Sequence, residues 1–284
     1  MLLYSETFGF RASVKQSHRK SCSNERPTLV FLHGLLGTGR DWRDVINLLA
    51  PNYPCLTIDL PGHGHSQLLN AKSFDDVSLW LQQTLVHRGI TDYVLVGYSL
   101  GARLAMYYAC QQHAVQPSSA ATPQPILRGL VLEGGNFGLP ESEREKRWEN
   151  DKAWANRFAS ESIGDVLADW YQQPVFSSLN YDQRQSLIQK RSDNLSGAIA
   201  RMLQATSLAH QPMLQAQLAD LIVPIHYVCG AKDEKFKCLA EQSGLDYSVI
   251  PEAGHNVHAE QPYGFFMATK QYLLQNLIDS EYIY

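Results

Sequence analysis

One stretch constrains this chain more than any other: Tyr93-Val94-Leu95-Val96-Gly97-Tyr98-Ser99-Leu100-Gly101. An apolar, strand-like run delivers a serine to the apex of a turn lined by small residues, and a helix-like run over residues 102–109 follows. A strand, serine turn and helix in that order form a nucleophile elbow. The turn pushes the hydroxyl out of the sheet and aims the next backbone N–H groups at the reacting atom. Glycine is needed on both sides because a Cβ there collides with the tightly turned chain. The five-residue pattern also arises by chance, so the rest of the chain has to carry the argument.

A chain of 284 residues can bury a large core and suits one domain with an inserted subdomain. Its 18% charged residues and net charge of -4 leave no basic footprint for nucleic acid. No apolar run reaches the ~20 residues that span a bilayer, which argues against membrane insertion. Met1-Leu2-Leu3-Tyr4-Ser5-Glu6 lacks the basic flank and apolar core of an export signal. The cysteines Cys22, Cys55, Cys110, Cys229 and Cys238 are odd in number and scattered, with no CxxC pair. They read as buried thiols in a reducing cytosol, which predicts a cytoplasmic protein.

Strands and helices alternate along the chain, which predicts a mainly parallel sheet covered on both faces. Strands are expected at residues 28–32, 55–59, 93–96, 130–133, 225–229 and 247–250, and helices at 42–50, 75–87 and 262–277. His33-Gly34-Leu35-Leu36-Gly37 and Pro61-Gly62-His63-Gly64-His65-Ser66 are the loops after the first two strands; Asp59 and the second loop read as structural. Residues 111–125, rich in Pro, Ser and Ala, read as a surface loop, and residues 279–284 as a loose tail. Between residues 138 and 211 the alternation stops: helical runs at 142–158, 181–191 and 197–208 come with no strand between them. That excursion predicts a helical cap (138–211) inserted into a core made of 1–137 and 212–284. It would lie over the carboxyl ends of the strands, where ligands bind in open α/β sheets.

A serine hydroxyl needs a histidine to take its proton and a carboxylate to hold that histidine. In the α/β-hydrolase fold the acid and then the histidine follow the serine. Asp233 and His255 each stand just beyond a predicted strand, at Gly230 and Ile250, and complete the candidate triad with Ser99. Taken alone, Asp233 also reads as a solvated turn residue between Lys232 and Glu234. Asp220 and Asp246 precede strands and are weaker rivals; His258 is the rival histidine. The backbone N–H groups of Leu35 and Leu100 are the expected oxyanion hole, where one donor is typically worth ~2.7–4 kcal/mol of barrier. No His, Cys or carboxylate cluster has metal-ligand spacing, and no phosphate-cradling loop is present.

Arg103 departs from what a generic esterase requires. It stands one helical turn after Ser99, on the same face, among Ala102, Leu104, Ala105 and Met106. A buried guanidinium needs an anion, so either a protein carboxylate pairs with it or it awaits an anionic substrate. Arg147 and Arg191 lie in the predicted cap, as do Trp170 and Tyr171, whereas Arg144, Arg157 and Arg184 read as solvated.

Several segments together resemble one family: Gly97-Tyr98-Ser99-Leu100-Gly101-Ala102-Arg103, Glu133-Gly134-Gly135, Asp169-Trp170-Tyr171-Gln172-Gln173-Pro174-Val175-Phe176, Lys190-Arg191-Ser192 and Gly254-His255-Asn256. The likeness runs from about residue 29 to 266 and is to the 2-succinyl-6-hydroxy-2,4-cyclohexadiene-1-carboxylate synthases, pyruvate-eliminating lyases of menaquinone biosynthesis. The resemblance implies an α/β-hydrolase fold and a triad at Ser99, Asp233 and His255. It also implies Arg103, Arg147, Arg191, Tyr98 and Trp170 as substrate contacts, a small tricarboxylate as the substrate, and no cofactor. Ala102 replaces a second glycine after the elbow, and residues 111–125 are longer than the family pattern.

The tricarboxylate gives the arginines a purpose, because hydrogen bonds to charged groups are worth ~1.5–3 kcal/mol each. On this reading the triad acts as a base that removes a ring proton α to the succinyl ketone. The rivals are a carboxylesterase, thioesterase or C–C hydrolase on the same triad, which leaves Arg103 without a role, and a ligand receptor that keeps the pocket. Nothing in the sequence specifies an oligomeric state.

Overall fold

The computed structural model describes residues 1–9, 26–114 and 124–277. Among them seven strands form one sheet: β1 (Ser5–Phe8), β2 (Thr28–Leu32), β3 (Cys55–Ile58), β4 (Asp92–Tyr98), β5 (Ile126–Glu133), β6 (Ile225–Gly230) and β7 (Asp246–Ile250). The order across the sheet is β1-β3-β2-β4-β5-β6-β7. Only β1 runs antiparallel, pairing Ser5 with Ile58. Four-residue β1 has no apolar run to mark it, and it was not anticipated.

The helices are α1 (Arg43–Leu49), α2 (Phe74–His87), α3 (Leu100–Ala114), α4 (Glu141–Ser160), α5 (Ile163–Trp170), α6 (Tyr181–Arg191), α7 (Ser196–Ala205), α8 (Gln215–Ala219), α9 (Glu234–Ser243), α10 (Val257–Glu260) and α11 (Pro262–Asn276). Local chemistry sets several boundaries. Ser73 accepts from Asp76 N–H to start α2, and Asn180 and Gln183 form a reciprocal capping box on α6. Pro262 opens α11 at a position that needs no N–H donor. The region expected to be a surface loop begins later than the sequence suggests, because α3 continues through Gln111 to Ala114. Residues 115–123, Cys22 and residues 279–284 lie outside the described residues.

β2 reads Thr-Leu-Val-Phe-Leu and is buried throughout, as a parallel strand covered on both faces must be. Alternate residues supply two cores. Val30 and Leu32 face the side covered by α2 and α3, and Leu29 and Phe31 face the side covered by α1 and α11.

Between β5 and β6 run five helices, α4 to α8, and no strand; the excursion itself is built from the first four, α4 to α7. They share a third apolar cluster in which Phe158, Val166, Leu167, Tyr171 and Ile199 close around Leu36 of the loop after β2. Eight-residue α5 was missed in sequence, although Ser162 with Asp165 three residues on is a helix-start signal that the structure uses.

Neighbouring β2 and β4 lead to opposite sides of the sheet, β2 to β3 and β4 to β5. Here the strand order reverses, so the loops after β2 and β4 diverge around a crevice. Phe158→Ala should empty the centre of the third cluster and destabilise the chain by ~3–5 kcal/mol. Urea denaturation followed by tryptophan fluorescence would measure it.

Candidate active site

Ser99 leaves β4 with φ +50, a left-handed conformation that costs a non-glycine residue roughly 1–3 kcal/mol. Small residues make the turn possible. A Cβ on Gly97 would lie 2.6 Å from the carbonyl of Gly101. One on Gly101 would fall on the backbone of Leu32. Ala102, the departure from the family pattern, is fully buried. Its methyl is accommodated opposite Gly135, where a Cβ would come within 2.7 Å of it. Ser99 N–H donates to Glu133 O at 2.8 Å, tying the elbow to the end of β5.

The structure brings Ser99, His255 and Asp233 together. His255 Nε2 is 3.3 Å from Ser99 Oγ, and His255 Nδ1 is 2.7 Å from Asp233 Oδ2. Asp233 is also the N-cap of α9, where its other oxygen accepts from Phe236 N–H at 3.3 Å. The cap holds the carboxylate in one orientation. Gly134 takes φ +58 beneath His255, leaving room where a Cβ would be 2.8 Å from the ring's Cε1. The rivals stand elsewhere: Asp220 ends α8, Asp246 starts exposed β7, and His258 is buried against Glu133 at 2.8 Å.

Leu35 lies in the loop after β2, at positions made rigid by two buried histidines. His63 Nε2 accepts from Leu36 N–H at 3.0 Å, and His33 Nε2 accepts from Leu60 N–H at 2.9 Å. The opposite nitrogens sit against carbonyl oxygens of Pro61 and Gly34, so each ring carries its proton on Nδ1. Burial lowers the proton affinity of both, that of His63 to about 3. Leu36 N–H is therefore committed. Of the two N–H groups expected to bind an oxyanion, that of Leu35 belongs to the residue before Leu36, and that of Leu100 lies in the first turn of α3, where helical N–H groups lack an intrahelical acceptor. Asp59 has the structural role expected of it, accepting from Gly39 N–H and His65 N–H at 2.8 and 2.9 Å.

The arginines divide. Arg103 donates from Nε to Gln211 Oε1 and from Nη2 to Thr206 O, both at 2.7 Å, and its guanidinium lies 5.4 Å over the Phe74 ring. Every one of these partners is neutral. Burial and the nearby Arg147 cation lower its proton affinity, and Asp151 opposes them from a distance. Arg147 pairs through Nε alone with Asp151, whose two oxygens lie at 2.8 and 2.9 Å. Arg191 gives its fork to Asp41 at 3.0 and 2.7 Å, so it does not stand free as expected of a substrate contact. Arg191 and Lys190 hold the Asp41 carboxyl well below the usual carboxylate range. Of the arginines read as solvated, Arg157 pairs on the surface with Glu161 and Asp169, and Arg184 donates to Gln172. Arg144 differs, tying down the carbonyls of Leu139 and Ala209.

Tyr98 lies flat on Gly34, with its ring 5.3 Å from that of His255. Trp170 packs within the helical region against Trp154, at 5.0 Å, and Phe158, at 5.7 Å. Cys55, Cys110 and Cys229 are buried free thiols, but Cys238 is exposed, because it lies on the outer face of α9. Among the described residues no helix is long and apolar enough to cross a membrane.

Residues 27–262 match the family described as alpha/beta hydrolase fold. Proteins named 2-succinyl-6-hydroxy-2,4-cyclohexadiene-1-carboxylate synthase are 47% identical to this chain. The one from Serratia proteamaculans aligns over 251 residues, 88% of this chain and 94% of its own. That from Yersinia enterocolitica covers 88% of each. Among solved structures, MenH from S. aureus superposes with a TM-score of 0.80 at 26% identity, over 96% of this chain and 99% of its own. The chain belongs to this synthase family within the alpha/beta hydrolases.

Set against that family, some residues of the site went unnoticed in the sequence. The Phe236 ring lies tilted 4.6 Å from that of His255, and Phe176 approaches it edge-on at 6.4 Å. Both stand in or beside motifs already singled out. Gln211 and Thr206, which hold Arg103, gave no signal, because nothing local marks a residue that serves a side chain 108 positions away.

Two outcomes follow from this geometry. Gly134→Ala should push the His255 ring off Ser99 and cut kcat about 100-fold while the chain stays folded, as steady-state turnover and circular dichroism would show. His63 has an ordinary pKa of 6.5 and a folded value of about 3. Between those limits the unfolded chain binds a proton that the folded chain refuses, so stability falls on acidification through that window. His63→Gln, whose carbonyl still accepts from Leu36 N–H, should remove about one proton from the slope of unfolding free energy against pH.

Proposed function

We propose that this chain eliminates pyruvate from 2-succinyl-5-enolpyruvyl-6-hydroxy-3-cyclohexene-1-carboxylate to give 2-succinyl-6-hydroxy-2,4-cyclohexadiene-1-carboxylate, a carbon–oxygen lyase reaction. Membership of the synthase family supports the reaction, and Arg103 carries the chemical argument. A partly buried guanidinium held only by neutral oxygens, above the elbow helix, retains its charge for a substrate carboxylate.

In this reading His255, oriented by Asp233, takes the Ser99 proton, and the Ser99 oxygen removes the ring proton α to the succinyl ketone. The electron pair becomes an enolate whose oxygen accepts from the N–H groups of Leu35 and Leu100. The pair then moves through the ring, the bond to the enolpyruvyl oxygen breaks, and the leaving enolate takes a proton at carbon to become pyruvate. No acyl-enzyme forms. A Ser–His separation of 3.3 Å suits a pair that tightens once substrate is bound.

Arg103 and Arg147 receive carboxylates. Arg191, its fork spent on Asp41, holds residues 138–211, the cap, against the core of 1–137 and 212–284. Tyr98, a neutral phenol because burial raises its pKa well above the ordinary value, walls the site beside His255. Trp170 stiffens the cap from within. The buried unpaired thiols support a cytoplasmic setting.

Pyruvate release from the tricarboxylate, coupled to lactate dehydrogenase, should be stoichiometric with product. Arg103→Ala should cost about 100-fold or more in kcat/KM, corresponding to two charged hydrogen bonds, with the fold retained. Near-normal turnover by that variant would remove the anion-binding assignment. A substrate-derived adduct on Ser99 trapped during turnover would favour an esterase-type hydrolase instead.

A further inference from the structure

Glu133-Gly134-Gly135 ends β5 directly beneath the site, and the proposed reaction uses none of the Glu133 carboxylate. That carboxylate is 0% exposed, a costly place for an ionisable group unless it is fully bonded. Its bonds lead to both members of the proton-transfer pair. The main-chain oxygen of Glu133 accepts Ser99 N–H at 2.8 Å. The side chain accepts His258 N–H at 3.1 Å and faces His258 Nδ1 at 3.0 and 2.8 Å.

His258 stands three residues beyond His255 in the same segment. Its ring stacks on Trp42 at 4.1 Å and meets Tyr98 edge-on at 4.8 Å. From the other side Glu260 accepts Gly254 N–H at 2.9 Å and Asn256 N–H at 3.2 Å. The His255 segment is therefore clamped by two carboxylates, and only Glu133 also holds the serine. Gly134, the next residue, is the seat of the His255 ring.

We propose that Glu133 is a positioning residue that sets the separation of Ser99 and His255 by fastening the His255 segment to the strand end that holds the elbow. This rests on reading Ser99 and His255 as the proton-transfer pair. Because one residue makes both attachments, the two reacting groups share a single reference point, and thermal motion of β5 moves them together.

The test compares Glu133→Gln and Glu133→Leu in the full chain. Gln keeps a carbonyl for His258 N–H and an amide for Nδ1, and should retain most of the activity at unchanged stability. Leu should lower kcat about 30-fold with KM within about twofold, and broaden or shift the low-field proton resonance of His255 Nδ1–H against Asp233. A folded Glu133→Leu with wild-type kcat, or equal losses in both variants tracking thermal stability alone, would overturn the proposal. If Glu133→Leu does not fold, His258→Phe keeps the stack on Trp42 and removes only the ring bond. It should show a smaller kcat-selective loss, and unchanged kcat there would also overturn the proposal. Should the wild-type chain release no pyruvate, the functional reading fails separately. The His255 resonance still decides the role of Glu133, since an unchanged signal in Glu133→Leu rules it out.

Discussion

The start of α3 lies so close to β2 that the carbonyl of Leu32 occupies the place where a side chain on Gly101 would be. That approach lets β4 end in a serine with φ +50 rather than run on into an ordinary loop. It also fixes the loop after β2 beside the elbow, because Leu32 and Gly97 are already paired in the sheet. From there one small residue admits the next neighbour: Gly34 the Tyr98 ring, Gly134 the His255 ring, Gly135 the Ala102 methyl. The strain at Ser99 costs roughly 1–3 kcal/mol. The strands beneath it, buried on both faces, offset that several times over, since a single buried Leu or Phe contributes ~1.5–3 kcal/mol.

Charge in the cleft is distributed by what each arginine touches. Arg191 meets a carboxylate bidentately, and that pair joins two parts of the chain 150 residues apart. Removing Asp41 would leave the buried Arg191 charge unpaired, a loss of ~3–5 kcal/mol, so the pair is fixed in place. Arg103 meets only a carbonyl and an amide oxygen. These orient a guanidinium without cancelling it. Arg147 lies between the two cases. The site thus keeps positive potential where burial and the nearby Arg147 cation lower the proton affinity of Arg103, which is the condition a polyanionic ligand relieves on binding.

The parallel strands, the elbow and the order of acid and histidine were legible because each depends on residues adjacent in sequence. A buried parallel strand must be apolar without interruption, and a left-handed serine needs glycines beside it. The free state of Arg103 was a question the sequence could pose and leave open, since its nearest partners, Thr206 and Gln211, are over a hundred residues away. Arg191 shows the same limit from the other side: its motif suggested a ligand contact, and a carboxylate 150 positions distant takes its fork. Strand β1 escaped notice because its four residues, Ser-Glu-Thr-Phe, carry no apolar run, and helix α5 because its eight residues span barely two turns. Their stability comes from packing and pairing rather than from a pattern long enough to recognise.

Leu36 joins these themes. It is held at φ +68, its N–H bound by His63, its carbonyl by Asn194 Nδ2 at 3.1 Å, and its side chain buried in one apolar cluster with Phe158 and Tyr171 from the segment between β5 and β6. A peptide fixed at all three points cannot rotate without opening that apolar cluster or breaking one of those bonds. The Leu35 N–H one residue earlier inherits the constraint. On the proposed reaction, the helices between β5 and β6 take part in aiming the donor that a developing oxyanion meets, so a change in their packing reaches the chemistry through the backbone of two residues.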